Sequence, residues 1–507
     1  MIEALIVNIH IQSLILGLIL ASVFFKLTRK EIKLNEPPFV PYRFPIIGHT
    51  WSFLTDCEKL ILESRKKYGE SFSLYVFGQV ITVVGKDSTQ EVFVRDRDFN
   101  HIEATKPQLP LHYIFTYSPD MIKNGVVMKD WFTKKIDWLT TKLHSNIKAI
   151  DMYIGDCDEQ KVIRDPVKVM RDIISIPFAS VAFGDECCHY DDILDMFGNL
   201  TASVSKLIVI PPLLAFIHPW LHQQFVTIPY RFGWNPYSKY RETIIRRIRP
   251  VIEKRLNDRK RLGDDWVAPM DLLQIYLDNP RVTPDFDPNN VDINYIADSL
   301  GVYVFASMNT TSNRTATALY DLAWRKEYVQ ELYEEAQEIY KQCNGNELTS
   351  QDFNKMVKLD SFIKESFRNF DDILGLPHIC IVKSIYTFKN GYQIPKGRVT
   401  FLNFLDTHYD EGIQGKDPMK FYAFRHLERN ASATKIERNL TIFGDGKHSC
   451  PGRFMAVNQI KMVLHNVILK YNVTTETGKI PPKKYFGPVL NRVYDGLVFE
   501  RRKDSLN

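Results

Sequence analysis

The longest uncharged apolar run of the chain lies close to its N-terminus. Residues 4–25 read ALIVNIHIQSLILGLILASVFF and contain no Asp, Glu, Lys or Arg. A helix of about 20 apolar residues spans the hydrocarbon core of a bilayer, so the run predicts a membrane anchor within residues 1–30. Positive charge marks the cytosolic flank of such a helix, and the residues that follow include Lys26, Arg29, Lys30 and Lys33. A cleaved signal peptide is the alternative, although Glu3 is the only charged residue before the run.

A proline-rich stretch separates this anchor from the rest of the chain. Residues 31–49 contain Pro37, Pro38, Pro41 and Pro45. Proline fixes φ and removes a backbone donor, so the stretch predicts a stiff hinge and not a helix. Residues 50–507 contain no internal repeat, low-complexity tract or further linker, and we interpret them as one large domain.

The hydrophobic periodicity of this domain changes three times. Apolar β-branched residues on either side of Gly78 predict a hairpin. Helical spacing dominates from about residue 87 to 370, and a second β-rich stretch covers Ile379 to Phe404. The last strong helix begins after Gly452, where apolar residues recur at i, i+3, i+4 and i+7. The fold class is therefore mainly α with small β-sheets.

Composition narrows the possible function classes. The chain has 507 residues, of which 45% are hydrophobic and 25% charged. These are ordinary globular values, which exclude a disordered chain, a collagen and a multi-span transporter. The net charge is only +5 and no long Lys/Arg run occurs, so no nucleic-acid partner is expected. The seven cysteines include no CxxC pair, which favours a reducing compartment without a disulfide framework.

One cysteine lies in a glycine-rich loop just before the last helix. The loop reads FGDGKHSCPG over residues 443–452. The amides at a helix N-terminus favour a thiolate, and glycines let the backbone approach a ligand closely. Cys450 has no nearby His or Cys partner with zinc-ligand spacing, and no βαβ pattern supports a nucleotide loop. A structural cysteine in a turn remains the alternative at this point.

Two further segments combine polar residues with helical spacing. Glu365 and Arg368 lie three residues apart on one face of a helix, either as a functional pair or as a solvated surface pair. A long apolar helix around residues 293–320 carries Asn309, Thr310 and Thr311 at its middle. Polar groups in a buried helix are costly unless they have partners or a use, and hydroxyls bonded to the preceding turn are the simple alternative.

The cysteine loop resembles the haem-binding signature Phe-x-x-Gly-x-Arg/His-x-Cys-x-Gly of the cytochrome P450 family at every fixed position. The resemblance implies a P450-like fold and a haem b (iron protoporphyrin IX) cofactor with Cys450 as its axial thiolate. His448 would occupy the basic position that meets a haem propionate. The remaining cofactor-binding residues of the loop would be Phe443, Gly444, Gly446 and Gly452.

The resemblance also implies roles outside the loop. In the family, the pair matching Glu365 and Arg368 is buried and joined by a later arginine, here Arg425. Thr310 would guide protons to bound oxygen beside Thr311, with Asn309 where the family usually has an acid. Two further contacts with the haem propionates are implied, at the motif formed by Trp131 and Lys135 and at the strand position of His378.

These matches look like a microsomal, fungal member of the family, similar to enzymes of the ent-kaurene oxidase type. Such a protein would insert one oxygen atom from O₂ into an apolar small molecule, with a terpenoid or steroid as our guess. Its electrons would come from a separate NADPH–cytochrome P450 reductase. The chain would cross the endoplasmic reticulum membrane once, with the catalytic domain in the cytosol.

Two other functions remain open because Ser307 and Asn309 depart from the usual family pattern. The first is an isomerase or dehydratase that uses haem without O₂ or a reductase. The second is a haem-binding paralogue without catalytic activity. Turnover in the absence of NADPH would favour the first, and ligand binding without product would favour the second.

Overall fold

The computed structural model describes residues 34–503 except 108, 119–120, 206–212, 345, 370–371, 430, 480–482 and 492–493. The anchor predicted from residues 4–25 therefore lies outside the described residues. Among the residues described, no helix is both long enough and apolar enough to cross a bilayer.

Helices form most of the described structure. In chain order they are α1 (Thr50–Thr55), α2 (Cys57–Tyr68), α3 (Lys86–Val94), α4 (His101–Thr105), α5 (Leu111–Ile114), α6 (Met121–Lys134), α7 (Ile136–Leu143), α8 (Ser145–Tyr153), α9 (Pro166–Phe183), α10 (Asp191–Ser205), α11 (Pro219–Arg231), α12 (Ser238–Leu262), α13 (Leu272–Asp278), α14 (Ile293–Trp324), α15 (Val329–Gln342), α16 (Ser350–Lys355), α17 (Val357–Asn369), α18 (Phe404–His408), α19 (Glu411–Gln414) and α20 (Arg453–Lys470). Short 3₁₀ turns cover Leu213–Phe216, Gly263–Asp265, Lys326–Tyr328 and Gly446–His448.

The strands form four small sheets. They are β1 (Phe72–Val76), β2 (Gln79–Val84), β3 (Phe99–Asn100), β4 (Lys161–Ile163), β5 (Leu374–Cys380), β6 (Ile385–Thr387), β7 (Gln393–Pro395), β8 (Val399–Asn403), β9 (Tyr471–Thr475), β10 (Lys484–Phe486), β11 (Val489–Asn491) and β12 (Leu497–Arg501). The largest sheet has the order β1-β2-β8-β5-β3, in which only β2 and β8 are parallel. The others are β4-β12-β9, β6-β7 and β10-β11.

The predicted hairpin is confirmed as β1 and β2, with Phe77 and Gly78 in the turn at φ 49° and 76°. Positive φ at both central residues matches the right-handed twist of a two-residue hairpin. The mainly helical class with small sheets is confirmed as well. The pairing of β9 with β12 near the C-terminus was not among the sequence predictions.

The proline-rich hinge, where it is described, lies along the edge of the large sheet. Val40 N–H donates to Ser73 O at 3.0 Å, and Ser73 N–H donates to Pro38 O at 2.8 Å. These bonds form a short parallel bridge between Phe39 and Ser73. Because proline has no backbone N–H, Val40 and Ser73 donate in this pairing, and Pro38 contributes only its carbonyl oxygen.

The long helix α14 crosses the middle of the helical core and contacts α9, α10, α12 and α20. Asp292 caps its start by accepting from Tyr295 N–H at 3.0 Å. Its hydroxyls largely bond to their own preceding turn, as the Ser312 hydroxyl does to Met308 O at 2.7 Å. Back-bonding of this kind lets a polar sequence lie within an apolar core.

A fully buried charge cluster joins α17 to the loop that follows α19. The Glu365 carboxylate accepts from Arg368 Nη2 at 2.6 Å and from Arg368 Nε at 2.8 Å, and both side chains have no exposed surface. Arg425 Nε lies 3.3 Å from Glu365 Oε1, and Tyr422 N–H donates to the same oxygen at 2.9 Å. Burial alone would raise the pKa of Glu365, but hydrogen bonds from Arg368 and His426 and the Arg368 charge lower it to about 2.

The two arginines of this cluster also bind the loop backbone. Arg368 Nη1 donates to His408 O and Pro418 O, both at 2.6 Å. Arg425 donates to the carbonyls of Gln414, Lys416, Asp417 and Lys420. One buried carboxylate thereby fixes the path of residues 414–425 through its two guanidinium partners.

We expect Arg368→Ala to lower the free energy of unfolding by about 3–5 kcal/mol, because the buried Glu365 carboxylate loses the guanidinium that binds both of its oxygens. Chemical denaturation of the purified protein measures this change. Arg164→Ala is the matched control, since Arg164 pairs with Glu476 at the surface, where such a pair contributes little to stability. Equal losses in the two variants would contradict the assignment of Arg368 to a buried cluster.

A buried histidine makes the stability of the fold sensitive to acid. His465 on α20 is 2% exposed, and its Nδ1 has no hydrogen-bond partner among the described residues. Burial lowers the pKa of His465 from 6.5 to about 4. Between these two values the unfolded chain binds a proton that the folded chain does not, so this residue makes the fold less stable as the pH falls.

We expect His465→Leu to reduce the loss of stability between pH 7 and pH 5 by about 2 kcal/mol, because the unfolded chain no longer gains that proton. Unfolding midpoints measured at both pH values test this. His189→Leu, at an exposed position, should leave the pH dependence unchanged. The same acid slope in wild type and His465→Leu would show that His465 does not control it.

Candidate functional site

The loop that carries Cys450 is held by its own backbone and by a neighbouring helix. Cys450 N–H donates to Phe443 O at 2.7 Å, and Gly444 N–H donates to Thr441 O at 2.9 Å. Gly444 and Gly446 both have φ near +65°. A Cβ at Gly446 would lie 2.8 Å from the carbonyl oxygen of Phe93 on α3. The glycine at 446 is therefore required both by its left-handed backbone and by this close approach.

Cys450 lies two residues before the N-cap of α20, which is Gly452. Burial raises the pKa of the Cys450 thiol, against the lowering effect of the Gly452 amide and the Arg453 charge. These groups act in the direction expected of a helix N-terminus, and burial opposes them. Cys450 nevertheless retains accessible surface.

Three residues in the middle of α14 also face open space, although most of that helix is buried. They are Ala306, Asn309 and Thr310. One turn further along, the Arg314 guanidinium lies 5.8 Å above the ring of Phe367. Phe367 in turn meets the ring of Phe443 edge-on at 5.8 Å. This chain of contacts joins the accessible stretch of α14 to the Cys450 loop.

The side chains at that stretch have defined hydrogen bonds. The Thr310 hydroxyl donates to Ala306 O at 2.9 Å, with Ser307 O at 3.2 Å. Its oxygen lone pairs remain available as acceptors. Thr311 is buried at 3% exposure and does not share the open face of its neighbours.

Two histidines meet at an irregularity in the large sheet. Strand β5 bulges between Gly375 and His378, and Leu376 there has φ 42°. The Leu376 carbonyl bonds His378 Nδ1 at 2.7 Å, and the Pro377 carbonyl bonds His101 Nδ1 at 2.7 Å. The two ring centroids are 5.2 Å apart. Bulges often redirect a side chain in this way.

These rings are electrostatically linked to the Cys450 loop. Burial lowers the pKa of His378 to about 4, with further lowering from His101 and His448. Burial also lowers the pKa of His448 and of His101. Because Nδ1 of His101 and of His378 contacts a carbonyl, Nε2 of each ring is left to meet a ligand. Each carbonyl accepts from Nδ1–H, so Nε2 of each neutral ring is an acceptor, and a haem carboxylate would bind there only through a proton on the carboxyl group or on the imidazole.

The structure does not connect Trp131 and Lys135 to the Cys450 loop. Trp131 packs edge-on against Trp138 at 5.2 Å and lines a surface cavity of about 430 Å³ with residues 268–271, 274–275 and 278–280. Lys135 is exposed between α6 and α7, and its side chain makes no hydrogen bond within the described residues.

The propionate contact expected of Lys135 stays a prediction, and a different lysine of α6, Lys129, contacts the Cys450 loop. Its Nζ donates to Ser449 Oγ at 2.8 Å, next to Cys450. Lys129 precedes Trp131 by two residues, which is about 200° around a helix and hence nearly the opposite face. The sequence offered no means of choosing between the two faces of α6.

Arg453 and His101 were not among the site residues predicted from the sequence. Arg453 Nη1 donates to Cys450 O at 2.9 Å, and Nε donates to Thr434 O at 3.0 Å. Arg453 directly follows Gly452 of the cysteine loop, and this position could have identified it from the sequence. His101 had no such signal, because only the bulge of β5 brings it next to His378.

Residues 37–497 match the family model described as cytochrome P450. The chain is similar to cytochrome P450 monooxygenase 151 of Postia placenta, with 26% identity over 96% of this chain and 98% of that protein. It is similar to cytochrome P450 monooxygenase paxP of Penicillium paxilli at 24% identity, over 91% of this chain and 89% of the relative. A shorter match, to cytochrome P450 monooxygenase janQ of Penicillium janthinellum, has 31% identity over 40% of this chain and 42% of that protein. With its family model covering nearly the whole length, the chain belongs to the cytochrome P450 family, oxidoreductases of the monooxygenase class whose cofactor is iron protoporphyrin IX held by a cysteine.

Proposed function

We propose that this protein inserts one oxygen atom from O₂ into an apolar small molecule of the terpenoid or steroid class, using electrons from an NADPH–cytochrome P450 reductase. The observation that carries the proposal is the Cys450 thiol, which is desolvated, accessible and fixed by the loop ahead of α20. Cys450 is the axial ligand in this proposal. A haem held by a thiolate supplies oxygen activation, because the sulfur donates electron density that favours O–O cleavage.

The surrounding residues would orient the cofactor. His448, His378 and His101 would meet the propionates, and Lys129 would add positive charge on the side of Ser449. Phe443 would support the cofactor through its edge-on contact with Phe367. In this proposal Gly444, Gly446 and Gly452 allow the loop backbone to approach closely.

Thr310 and Asn309 would act on the opposite side of the cofactor. The Thr310 hydroxyl uses its proton within the helix, so its oxygen accepts a hydrogen bond from a water or ligand. Asn309 is accessible but cannot release a proton near neutral pH. Thr311 supports the helix from its buried face and contributes no contact to the open side.

The same proposal places the protein at the endoplasmic reticulum membrane, spanning it once with the catalytic domain in the cytosol. An exposed apolar face of the described residues supports this location. It consists of Phe39, Phe44, Ile46, Ile47 and Trp51 near the hinge and of Ile217, Trp220, Phe225, Ile228, Phe232 and Trp234 around α11. Monomeric soluble proteins rarely expose an apolar surface of this kind without a partner.

The two halves of this face lie on either side of the β1–β2 turn. Phe77 in the turn contacts Phe216 at 6.2 Å and Phe53 at 6.4 Å between ring centroids. A Cβ at Gly78 would lie 2.2 Å from Ala215 O, which shows how tightly the turn packs. The turn thus packs between the segments that carry the two groups of exposed apolar residues.

Reconstitution tests the reaction class. The full-length protein is combined with NADPH–cytochrome P450 reductase in phosphatidylcholine vesicles and offered a panel of terpenoids and steroids. We expect a substrate-induced shift of the haem spectrum, and a product that requires both NADPH and O₂. Turnover without either reagent would instead establish an isomerase or dehydratase, and a spectral shift without any product would establish a non-catalytic haem protein.

We expect Cys450→Ala to abolish the thiolate-type absorption band of the reduced carbon monoxide complex, because alanine offers no ligand. Cys343→Ala is the matched control, since Cys343 is also partly exposed but follows α15. Absorption difference spectra of both purified variants provide the measurement. A normal thiolate band in Cys450→Ala would refute the ligand assignment.

We expect brominated phosphatidylcholine to quench tryptophan fluorescence of the membrane-reconstituted protein through the apolar face. Trp220→Phe and Trp234→Phe should each reduce the quenched fraction. Trp266→Phe should not reduce it, because Trp266 follows the far end of α12, a helix about 37 Å long. If neither Trp220→Phe nor Trp234→Phe changes the quenched fraction, this face is not the membrane contact.

The orientation of the domain has a separate test. Asn472 is exposed on β9 and begins an Asn-x-Thr sequence that a lumenal domain would offer for glycosylation. We expect the protein isolated from microsomes to carry no glycan at Asn472, as measured by mass spectrometry. A glycan there would place the domain in the lumen.

A further inference from the structure

Asn313 lies one helical turn after Asn309 on α14. Its Nδ2 donates to the backbone oxygen of Asn309 at 2.8 Å and to the side-chain Oδ1 of Asn309 at 3.0 Å. Both hydrogens of one amide are therefore directed at the same residue. Residues four apart on a helix are neighbours, which makes this contact geometrically natural.

The backbone carbonyl of Asn309 determines which end of the Asn313 side-chain amide faces it. A carbonyl oxygen can only accept, so the Asn313 group that faces it must be the NH₂ group and not the oxygen. The same NH₂ group then requires an acceptor from the Asn309 side chain, which is Oδ1. The reversed amide would place two NH₂ groups against each other, so Asn313 determines which edge of the Asn309 amide points away from it.

The backbone of Asn313 is held in turn by contacts further along the helix. Its carbonyl oxygen accepts from Thr317 Oγ1 at 2.8 Å. The Thr317 hydroxyl also lies 2.6 Å from the Tyr494 hydroxyl, which belongs to the C-terminal segment. Asn313 is thus supported by groups that do not touch Asn309.

We propose that Asn313 is a positioning residue that directs the N–H edge of the Asn309 amide toward the accessible interior beside Thr310. The inference deepens the proposed function and rests on it. Asn309 Nδ2 makes no hydrogen bond within the described residues, and Asn309 and Thr310 are both exposed there. The accessible face consequently presents a donor from Asn309 next to an acceptor on Thr310.

A donor beside an acceptor suits one ordered water molecule. The water oxygen accepts from Asn309 N–H, and one of its hydrogens is donated to Thr310 Oγ1. The second water hydrogen is then free to point toward a ligand. An acid at position 309 would carry a proton itself, whereas the neutral amide orients a water that carries it. Asn313 is what keeps the amide in this orientation.

Carbon monoxide bound to the reduced holoenzyme is the probe for this orientation. A hydrogen-bond donor near the ligand lowers the C–O stretching frequency, and an acceptor raises it. Asn313→Asp is nearly isosteric, but its carboxylate accepts and would turn the Asn309 N–H edge away from the interior. We expect infrared spectra to show a higher C–O frequency in Asn313→Asp, and a broadened band in Asn313→Ala, where the amide is free to rotate.

Two further variants make the test specific to the Asn309–Asn313 pair. Ser312→Ala is the matched control, because among the described residues the Ser312 hydroxyl bonds only its own helix, at Met308 O and Asn309 O. The C–O stretching frequency of this variant should equal that of wild type. Asn309→Ala removes the amide that Asn313 positions. Adding Asn313→Asp to Asn309→Ala should therefore produce no further shift, since coupled residues give non-additive effects.

The outcomes separate this inference from the proposed function. An unchanged frequency in Asn313→Asp, while Asn309→Ala shifts it, would overturn the positioning role and leave the monooxygenase assignment intact. An unchanged frequency in Asn309→Ala would show that the amide does not face the ligand, which also overturns the inference. Failure of wild type to form any thiolate-type carbon monoxide complex would overturn the proposed function itself.

Discussion

A carboxylate with no exposed surface requires its hydrogen-bond acceptors to be satisfied, and Glu365 meets this requirement through its own helix and through a distant loop. Arg368 lies on the same helix, but Arg425 and the Tyr422 amide belong to the loop after α19. The buried charge cluster therefore ties the path of that loop to the helix.

The protein combines a partly buried thiol with polar groups that remain accessible. Asn309 and Thr310 lie in the middle of an otherwise buried helix, and their accessibility spares them the cost of burying a polar group. His378 and His101 each use one ring nitrogen on a backbone carbonyl and leave the other to a ligand. These groups together offer a thiol, two ring nitrogens at the sheet and a mixed donor–acceptor surface on α14.

Much of this arrangement could be predicted from local sequence. The Cys450 loop and the Glu365–Arg368 spacing are short patterns whose chemistry depends on nearest neighbours. The hairpin β1–β2 and the helix after Gly452 follow from turn residues and from apolar periodicity. Such features need no knowledge of the remainder of the chain.

Local sequence does not reveal which distant residues meet. Lys129 on α6 contacts Ser449 beside Cys450, while the roles expected of Trp131 and Lys135 stay predictions. The choice between faces depends on how α6 packs, which helical spacing does not reveal. His101 was not identified because it reaches His378 through an irregular strand, 277 positions later (378 − 101), that no local pattern indicates.

The bulge in β5 limits the insertions and deletions that this sheet tolerates. Side chains alternate between the two faces of a regular strand, so deleting the extra residue at the bulge would move every later side chain to the opposite face. His378 would then leave His101, although neither histidine had been altered. Insertions and deletions between residues 375 and 378 are therefore much more damaging than substitutions of similar size, and related chains that keep a histidine here must also keep the length of this strand.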